Sequence, residues 1–388
     1  MKTVDVAIVG GGIVGSATAF YLARDPAFAG RCAVVIEQDP SYTRGSTGRS
    51  VGGLRQQFST PENIAMSQVT LGIVRDPAAT FGEPVDLSFR EQGYLMLASE
   101  AGRAVLQETA ALQRAHGADI LPLDAAAVGA RFPWISTDGV AAGNFGRTGE
   151  GWLDPASLRS AFRAAAIRHG AVWRHDDVVA IDASTRSLTL AGGEAISYGA
   201  LVNAAGPWAG AVAALAGIPL PVEPRKRIVY VVDSREATAD LHKAPLTVDP
   251  SGVWFRPEGR TFLCGVSPAI EPSIDHLEDT QPEQFETEVW PRLAARVPAF
   301  QALKLVSAWA GYYDYNTLDQ NAIIGRHPDV RTFFLANGFS GHGLQQGAAA
   351  GRAVAELIVH GSFVTIDLGR LGYERVIRNE PVLERNVI

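Results

Sequence analysis

The sequence predicts an α/β fold that is divided between two domains, and three observations support this prediction. Residues 4–37 read as a buried strand, a helix and a second buried strand, which is the start of a parallel sheet covered by helices. The chain has 388 residues, enough for two substantial cores. Segments 226–233, 252–258 and 260–267 are rich in β-branched and aromatic residues, which predicts a mixed or antiparallel sheet in the second domain.

Composition narrows the class of protein. The chain is 47% hydrophobic and 19% charged, as ordinary globular proteins are, and its net charge of −7 offers no broad attraction to nucleic acid. No apolar run is long enough to span a bilayer. The only cysteines are Cys32 and Cys264, and the eight histidines form no HxxxH or HExxH pattern, so we expect no metal site. Since the N-terminus enters a strand at once, we expect no signal peptide and a cytoplasmic location.

The first unit carries a dinucleotide-binding pattern. Gly10, Gly12 and Gly15 have GxGxxG spacing between the strand at 4–9 and a helix at 13–23, and the strand at 33–37 ends in Glu37. The first glycine permits the turn, the second lets the backbone approach a pyrophosphate, and the third packs the helix on the strand. The acid accepts hydrogen bonds from ribose hydroxyls. Glycine-rich turns are common, but this complete order favours the dinucleotide prediction and leaves FAD and NAD open.

Three later segments look like further parts of the same domain. Residues 44–59 are too rich in Gly and Ser for a surface helix, 169–184 reads as two short strands, and 200–210 as a buried strand with a small-residue turn. A strand at 332–336 runs into NGFSGHGLQQG, after which Gly343, Gly347 and Gly351 share one helix face. A face without side chains suits close packing of a helix. Turn chemistry explains each segment singly, whereas together they predict one nucleotide-binding fold.

These motifs carry a family resemblance. GGGIVG with Glu37, GSTGRS, NAAGPWAG, YYDYNTLDQNAIIG and GFSGHGLQQGAAAGRAVAELI resemble the D-amino-acid-oxidase-like FAD-dependent oxidoreductases, over nearly the whole chain. The resemblance is strongest to the branch of glycine oxidase, sarcosine oxidase and dimethylglycine dehydrogenase, and to relatives that assemble respiratory complexes. It implies a Rossmann-like FAD-binding domain of the glutathione-reductase type at 1–85, 145–220 and 321–388. The substrate domain is then 86–144 and 221–320.

The motifs and the resemblance together imply the residues that bind FAD. They are Gly10, Gly12, Ile13, Val14, Gly15, Glu37, Gln38, Ser46, Thr47, Arg49, Ser50, Gly52, Gly53, Val178, Val179, Ala204, Ala205, Gly206, Trp208, Gly311, Gly338, Gly341, His342, Gly343, Leu344 and Gln345. Monomeric sarcosine oxidases bind FAD covalently through a cysteine where this chain reads Gly311-Tyr312-Tyr313. We therefore expect non-covalent FAD.

The resemblance also implies the residues that meet the substrate. The loop 338–343 faces the flavin pyrimidine edge, with His342 as one wall of the pocket; otherwise it is a turn histidine. Arg55 falls where the family has an arginine that binds the substrate carboxylate, and Gln345 replaces the lysine that accompanies it. Arg55 is equally open to a structural role on loop carbonyls. Among the nearby tyrosines, the resemblance places Tyr312 against the flavin.

The implied function is oxidation of a C–N bond of an amino acid or N-alkyl amino acid, with hydride transfer to flavin N5 and hydrolysis of the imine. The substrate is a small amine or amino acid, and the acceptor is O2 or an electron carrier. The lysine that promotes oxygen reduction in the oxidases aligns near Leu263, which favours a dehydrogenase unless Arg49 or Arg256 takes that role. Two alternatives remain: a 2-hydroxy-acid oxidoreductase with His342 as base, and an FAD-binding assembly factor or subunit of a heteromeric dehydrogenase. The oligomeric state stays open.

Overall fold

A computed structural model describes residues 2–385 of the chain. The strands are β1 Lys2–Val9, β2 Ala33–Glu37, β3 Gly53–Leu54, β4 Tyr94–Ala98, β5 Ile120–Asp124, β6 Ala142–Gly146, β7 Gly151–Trp152, β8 Val172–His175, β9 Val178–Asp182, β10 Ser187–Leu190, β11 Ala195–Asn203, β12 Val222–Ser234, β13 Leu246–Val248, β14 Trp254–Glu258, β15 Thr261–Gly265, β16 Leu303–Asn316, β17 Ile323–Arg326 and β18 Phe333–Asn337. The α-helices are α1 Ile13–Arg24, α2 Pro61–Arg75, α3 Pro77–Phe81, α4 Arg103–Ala115, α5 Ala125–Arg131, α6 Pro155–Arg168, α7 Ala209–Leu215, α8 Pro282–Gln284, α9 Trp290–Arg296, α10 Gly343–His360 and α11 Glu374–Arg378.

The first sheet forms the nucleotide-binding core. Its strand order is β17-β18-β11-β1-β2-β8, with β10 and β9 added beside β11. The central strands β18, β11, β1 and β2 run parallel to one another, so their carboxyl ends meet at one edge. In β1 the residues from Val6 to Val9 are all buried, as expected for a strand covered on both faces. The predicted α/β class is confirmed.

The glycine face of α10 packs against α1. A Cβ on Gly351 would lie 2.7 Å from the Cβ of Ala17, and one on Gly347 would lie 2.9 Å from Cγ2 of Ile13. The two helices therefore approach more closely than side chains on this face would allow. Gly343, at the start of the same face, lies instead against Phe339, 3.4 Å from its Cβ. This packing fixes where α10 begins relative to the turn that precedes α1.

The second sheet forms the other domain. Its order is β16-β12-β15-β14-β13-β4-β6-β5, and the pairs are antiparallel apart from β13 with β4. The sheet is therefore mixed, as predicted. Strand β6 runs to Gly146 and so crosses the proposed domain boundary at 144/145. β12 and β16, of 13 and 14 residues, form the longest pair and reach back to the first sheet.

Residues 2–385 contain neither a membrane-spanning helix nor a cluster of metal ligands. No helix there is long and apolar enough to cross a membrane. No group of three or more His, Cys, Asp or Glu side chains in the same residues is arranged to hold a metal ion.

Candidate functional site

A cavity of about 530 Å³ lies between the two sheets. The carboxyl ends of β1, β2 and β11 open onto it, together with the start of α10. The second sheet contributes side chains from β4, β12, β14 and β16. Ligands of open α/β sheets bind at the carboxyl ends of the strands, and the volume falls in the range of small-molecule sites.

Most of the residues predicted to bind FAD line this cavity. They are Gly10, Gly12, Ile13, Val14, Glu37, Gln38, Ser46, Thr47, Arg49, Ser50, Gly53, Val178, Ala204, Ala205, Gly206, Trp208, Gly311, Gly341, His342, Gly343, Leu344 and Gln345. Most of these residues belong to the first sheet and the segments that follow its strands, and Gly311 lies on β16 of the second sheet. The fold brings them together around one cavity.

Four predicted residues do not line the cavity. A Cβ on Gly15 would overlap the carbonyl oxygen of Gly10 and lie 3.3 Å from Cγ2 of Ile8, so Gly15 packs the helix on the turn as well as on the predicted strand. A Cβ on Gly52 would overlap the carbonyl oxygen of Leu153. Val179 is 47% exposed because side chains alternate along β9, and its neighbour Val178 is the one that faces inward. The fourth residue, Gly338, has a hydrogen-bonding role described below.

The turn after β1 is tied to the end of β2. Gly10 has φ +99°, and a Cβ there would overlap the carbonyl oxygen of Ala204, so only glycine fits. The Glu37 carboxylate accepts hydrogen bonds from the backbone N–H of Gly11 at 2.7 Å and of Asp39 at 2.8 Å. Burial raises the pKa of Glu37, and these two bonds oppose the rise. Glu37 thus fixes both turns while lining the cavity; its contact with a ribose stays a prediction.

Two helix N-termini open onto the cavity. Gly12 precedes α1 and His342 precedes α10; neither side chain caps its helix, and neither first turn contains an acidic residue. Thr47 Oγ1 accepts from the Ile13 N–H at 3.2 Å, and other first-turn N–H groups have no intrahelical acceptor. Such ends attract negative charge. The arrangement fits FAD: the N-terminus of α1 would hold the pyrophosphate, and the N-terminus of α10 would face the flavin.

Arg55 and His342 form a buried pair at the α10 end. Arg55 is 1% exposed, and its Nη2 lies 3.0 Å from Nε2 of His342. Its Nη1 donates to the carbonyl oxygen of Gln57, and its Cζ lies 4.1 Å from the centre of the Phe58 ring. Burial, and then the charge of Arg55, lowers the pKa of His342 well below its usual range. The histidine is therefore a neutral wall of the cavity.

Gln345 positions the backbone of Arg55. Its Oε1 accepts from the Arg55 N–H at 2.8 Å and from the Ser67 hydroxyl at 3.4 Å. The sequence predicts that Gln345 is a polar partner for a substrate carboxylate. Its amide oxygen holds the segment that carries the arginine, and a carboxylate would accept from the amide Nε2, so that role stays a prediction.

Two neighbouring tyrosines of β16 have different surroundings. The Tyr312 hydroxyl donates to the carbonyl oxygen of Ile274 at 2.5 Å, and its ring packs edge-on against Trp208 with 6.2 Å between centres. The Tyr313 hydroxyl has no hydrogen-bond partner among residues 2–385, and a Cβ on Gly341 would lie 2.5 Å from the Tyr313 ring. Both residues line the cavity, but Tyr313, not Tyr312, has a hydroxyl left for a ligand.

Tyr94 is a site residue that the sequence analysis missed. It lies on β4 of the second sheet and lines the cavity, and no residue of the described part of the chain bonds its hydroxyl. That hydroxyl lies so close to Gly53 that a Cβ there would overlap it. No motif surrounds Tyr94 in the sequence, so only the pairing of the second sheet identifies it.

Glu150 is a second residue without a sequence signal. It is fully buried, and its carboxylate accepts from the Gln56 N–H at 2.6 Å and from Nε2 of Gln57 at 2.8 Å. Burial raises its pKa to about 7, while these bonds and the charge of Arg55 oppose the rise. Gly146 leaves the space, because a Cβ there would overlap the carboxylate. Glu150 therefore supports the segment that follows Arg55.

Asp314 holds the loop before α10. Its Oδ2 accepts from the N–H groups of Gly338 at 2.8 Å and Phe339 at 3.1 Å. Burial raises the pKa of Asp314 to about 6. Gly338 thus contributes by orienting the loop through its backbone rather than by lining the cavity.

Leu263, Arg49 and Arg256 are the residues considered above for the reaction with O2, and each has different surroundings. Leu263 is buried in the second sheet between Val231 and Arg256 and does not line the cavity, so that position carries no argument about oxygen. Arg49 lines the cavity, and its Nη1 donates to the carbonyl oxygen of Ala310 at 2.7 Å. Arg256 donates to the carbonyl oxygen of Val51 at 2.9 and 3.1 Å. Both arginines hold loop backbone.

Comparison with known proteins gives three kinds of match. The family model described as "DAO: FAD dependent oxidoreductase" matches residues 5–357. "FAD-dependent oxidoreductase domain-containing protein 1" of Xenopus laevis is 41% identical, over 99% of this chain and 85% of its own length. Human "Sarcosine dehydrogenase, mitochondrial" is 26% identical over 93% of this chain and 40% of its own. The crystal structure of L-proline dehydrogenase from P.horikoshii superposes with a TM-score of 0.84 and 25% identity, covering 98% of this chain and 100% of that one.

Proposed function

The chain belongs to the DAO family of FAD-dependent oxidoreductases, and from this premise we propose that it oxidises the C–N bond of an amino acid or N-alkyl amino acid. The main support for the proposal comes from the residues that line the cavity near the start of α10. There the buried cation Arg55 and the hydroxyls of Tyr94 and Tyr313 line the same space. A carboxylate next to an amine fits this end, since it supplies a charge opposite to that of Arg55 and acceptors for the two hydroxyls.

FAD supplies the chemistry when bound: it accepts the hydride that leaves the carbon beside the amine nitrogen, and water hydrolyses the imine product. The protein positions the substrate. Arg55 neutralises the carboxylate, and the apolar walls, among them Leu246 and Trp254, favour the uncharged amine by desolvation. The N-terminus of α10 stabilises negative charge at the flavin. No protein base is needed if the amine arrives unprotonated.

The relatives support an amine substrate. One is named as acting on sarcosine and one on L-proline, and both of these substrates are secondary amines with an adjacent carboxylate. The relative that is 41% identical is named only by its FAD-dependent domain, so the substrate class remains our proposal.

The state of His342 argues against a 2-hydroxy-acid substrate. Oxidation of an alcohol needs a base of suitable pKa, and His342 is the candidate that the sequence offers. Its pKa is lowered well below the usual range, and its Nε2 already accepts from Arg55. A neutral histidine whose lone pair is engaged is a poor base.

An anaerobic reduction assay tests the proposal. The purified holoprotein is mixed with sarcosine, proline, glycine, dimethylglycine or lactate, and bleaching of the visible flavin absorbance is followed. We expect one or more amines to bleach the flavin and lactate not to. If dithionite bleaches the flavin and no amine does, the amine proposal fails, and a role as an FAD-binding assembly factor or subunit becomes the better explanation. Reoxidation by O2 against a quinone analogue then separates oxidase from dehydrogenase.

A further inference from the structure

An arginine of the second sheet also lines the cavity. Arg227 lies on β12, and its side chain is 13% exposed. Its Nη1 and Nη2 donate to the two carboxylate oxygens of Glu271, at 2.7 and 3.0 Å. This is a bidentate arginine–carboxylate pair, the geometry in which a guanidinium recognises a carboxylate most specifically.

Two hydrogen-bond donors beside this pair are unused. Nε of Arg227 is buried and has no partner among the described residues. The Tyr313 hydroxyl is likewise without a partner within residues 2–385, and Cζ of Arg227 lies 5.4 Å from the centre of the Tyr313 ring. Buried donors are normally satisfied, so a pair of unsatisfied donors beside a cavity marks a place for an acceptor on a ligand.

Strand register explains why these groups share a face. In the antiparallel pair β12–β16, Arg225 lies opposite Tyr313 and Arg227 lies opposite Gly311. Opposed residues point to the same side of a sheet, as do residues two apart. The two arginines and Tyr313 therefore lie on one face, while Gly311 lies against Arg49, whose Cβ would be 3.0 Å from a Cβ on Gly311.

The opposite face of the same strands fixes the loop that carries Glu271. Lys226 is 1% exposed, and its Nζ donates to the carbonyl oxygens of His276 and Asp279 at 2.9 Å each. Tyr312 holds the carbonyl oxygen of Ile274 in the same loop. Lys226 and Tyr312 thus hold this loop from the opposite face of the sheet. Glu271, in the same loop, remains the partner of the two terminal nitrogens of Arg227.

The Tyr313 hydroxyl is influenced by both Arg227 and Arg55. Burial raises the pKa of its phenol, and the charges of Arg227 and Arg55 both oppose that rise. Two guanidinium groups therefore act on one hydroxyl group. Arg227, Arg55 and Tyr313 all line the cavity.

We propose that Arg227 and Tyr313 form a second carboxylate subsite, so that the preferred substrate is an amine with two carboxylates. One carboxylate is held at Arg55, and the other accepts from Nε of Arg227 and from the Tyr313 hydroxyl, while Glu271 keeps the terminal nitrogens. The inference rests on the proposed amine oxidation and adds its substrate class.

The test uses matched substrates that differ by one carboxylate. Iminodiacetate is sarcosine with a carboxylate on its methyl carbon, and aspartate is alanine with one on its side chain. We expect kcat/KM for flavin reduction in the holoprotein to favour the dicarboxylate of a pair. Arg227→Gln should lower that preference about tenfold, since a charge-assisted bond is lost. Tyr313→Phe, which keeps the ring packing, should lower it as well, and Glu271→Gln should raise it.

Arg225→Gln is the matched control. Arg225 binds the same Glu271, at 2.8 Å, from the same strand, but it does not line the cavity. It should leave the preference unchanged. If monocarboxylates reduce the flavin and both Arg227→Gln and Tyr313→Phe keep the wild-type preference, the subsite is wrong and the amine proposal stands. If no amine of either kind reduces a flavin that dithionite reduces, the proposed function fails, and the subsite fails with it.

Discussion

Nε2 of His342 accepts a hydrogen bond from the guanidinium of Arg55, with 3.0 Å between the nitrogen atoms. A guanidinium has no acceptor, so the direction of this bond is fixed and the imidazole carries its proton on Nδ1. The two residues are 287 positions apart, and both are buried. The bond ties the segment that follows β3 to the start of α10, at the end of the cavity where we place the substrate carboxylate.

Replacing Arg55 should weaken substrate binding. Arg55→Ala removes the charge-assisted bonds to the carboxylate, each worth about 1.5–3 kcal/mol, so the apparent Kd for an amino-acid substrate should rise roughly tenfold or more. Reductive titration measures this value, and the visible flavin spectrum checks cofactor content. Arg55→Lys keeps a cation and should lose less. An unchanged Kd with normal flavin content in Arg55→Ala would mean that the arginine has only its structural role on Gln57 and His342.

Gly12 and Gly15 should respond differently to a larger side chain. A Cβ on Gly12 has only Thr47 Oγ1 near it, at 3.4 Å, so Gly12→Val should fold but fill the space where the pyrophosphate binds. A Cβ on Gly15 would overlap backbone, so Gly15→Val should not fold. Circular dichroism and flavin absorbance of the purified variants distinguish the two effects. Normal flavin content in Gly12→Val would show that the glycine pattern does not bind the cofactor.

FAD should be bound without a covalent link. Cys264 is buried in the second sheet, with its Sγ 3.7 Å from the carbonyl oxygen of Tyr230, and neither it nor Cys32 lines the cavity. Acid precipitation of the holoprotein should therefore release free FAD into the supernatant. A yellow pellet, with flavin that stays attached to peptide after digestion, is the contrary result.

Titration of Glu150 should lower the free energy of unfolding as pH rises from about 4 to about 7. Its pKa is raised to about 7 in the folded state, so the folded state binds this proton more tightly than the unfolded chain does. The stabilisation is complete below the unfolded pKa of roughly 4.3 and is lost as pH rises to about 7, a change of about 4 kcal/mol.

Glu150→Gln removes this titration. The fall in Tm between about pH 5 and about pH 8 should therefore be smaller in the variant than in the wild type. Glu108→Gln, at a side chain 63% exposed on the surface, serves as the control. Equal slopes in all three proteins would show that the Glu150 carboxyl does not titrate differently on folding.

The sequence predicted those parts of the site whose geometry is local. The turn at Gly10 and the packing at Gly15 follow from the absence of a Cβ, and the spacing of Gly347 and Gly351 predicted a face for close helix packing. The resemblance added the loop before α10. Val179 was misplaced because the sequence does not show which of two successive strand residues points inward.

What only the tertiary structure decided is which side chains converge. Tyr313 rather than Tyr312 has a hydroxyl without a partner in the described part of the chain, because the register of β16 against β12 sets the face of each residue. No local pattern encodes that register. Tyr94 and Arg227 reach the cavity from strands without a motif. The sequence by itself predicted an FAD-binding fold with glycine-rich turns, because only glycine permits the backbone conformations and close approaches that these turns require. The composition of the substrate pocket depends on contacts between distant segments, and packing alone brings those together.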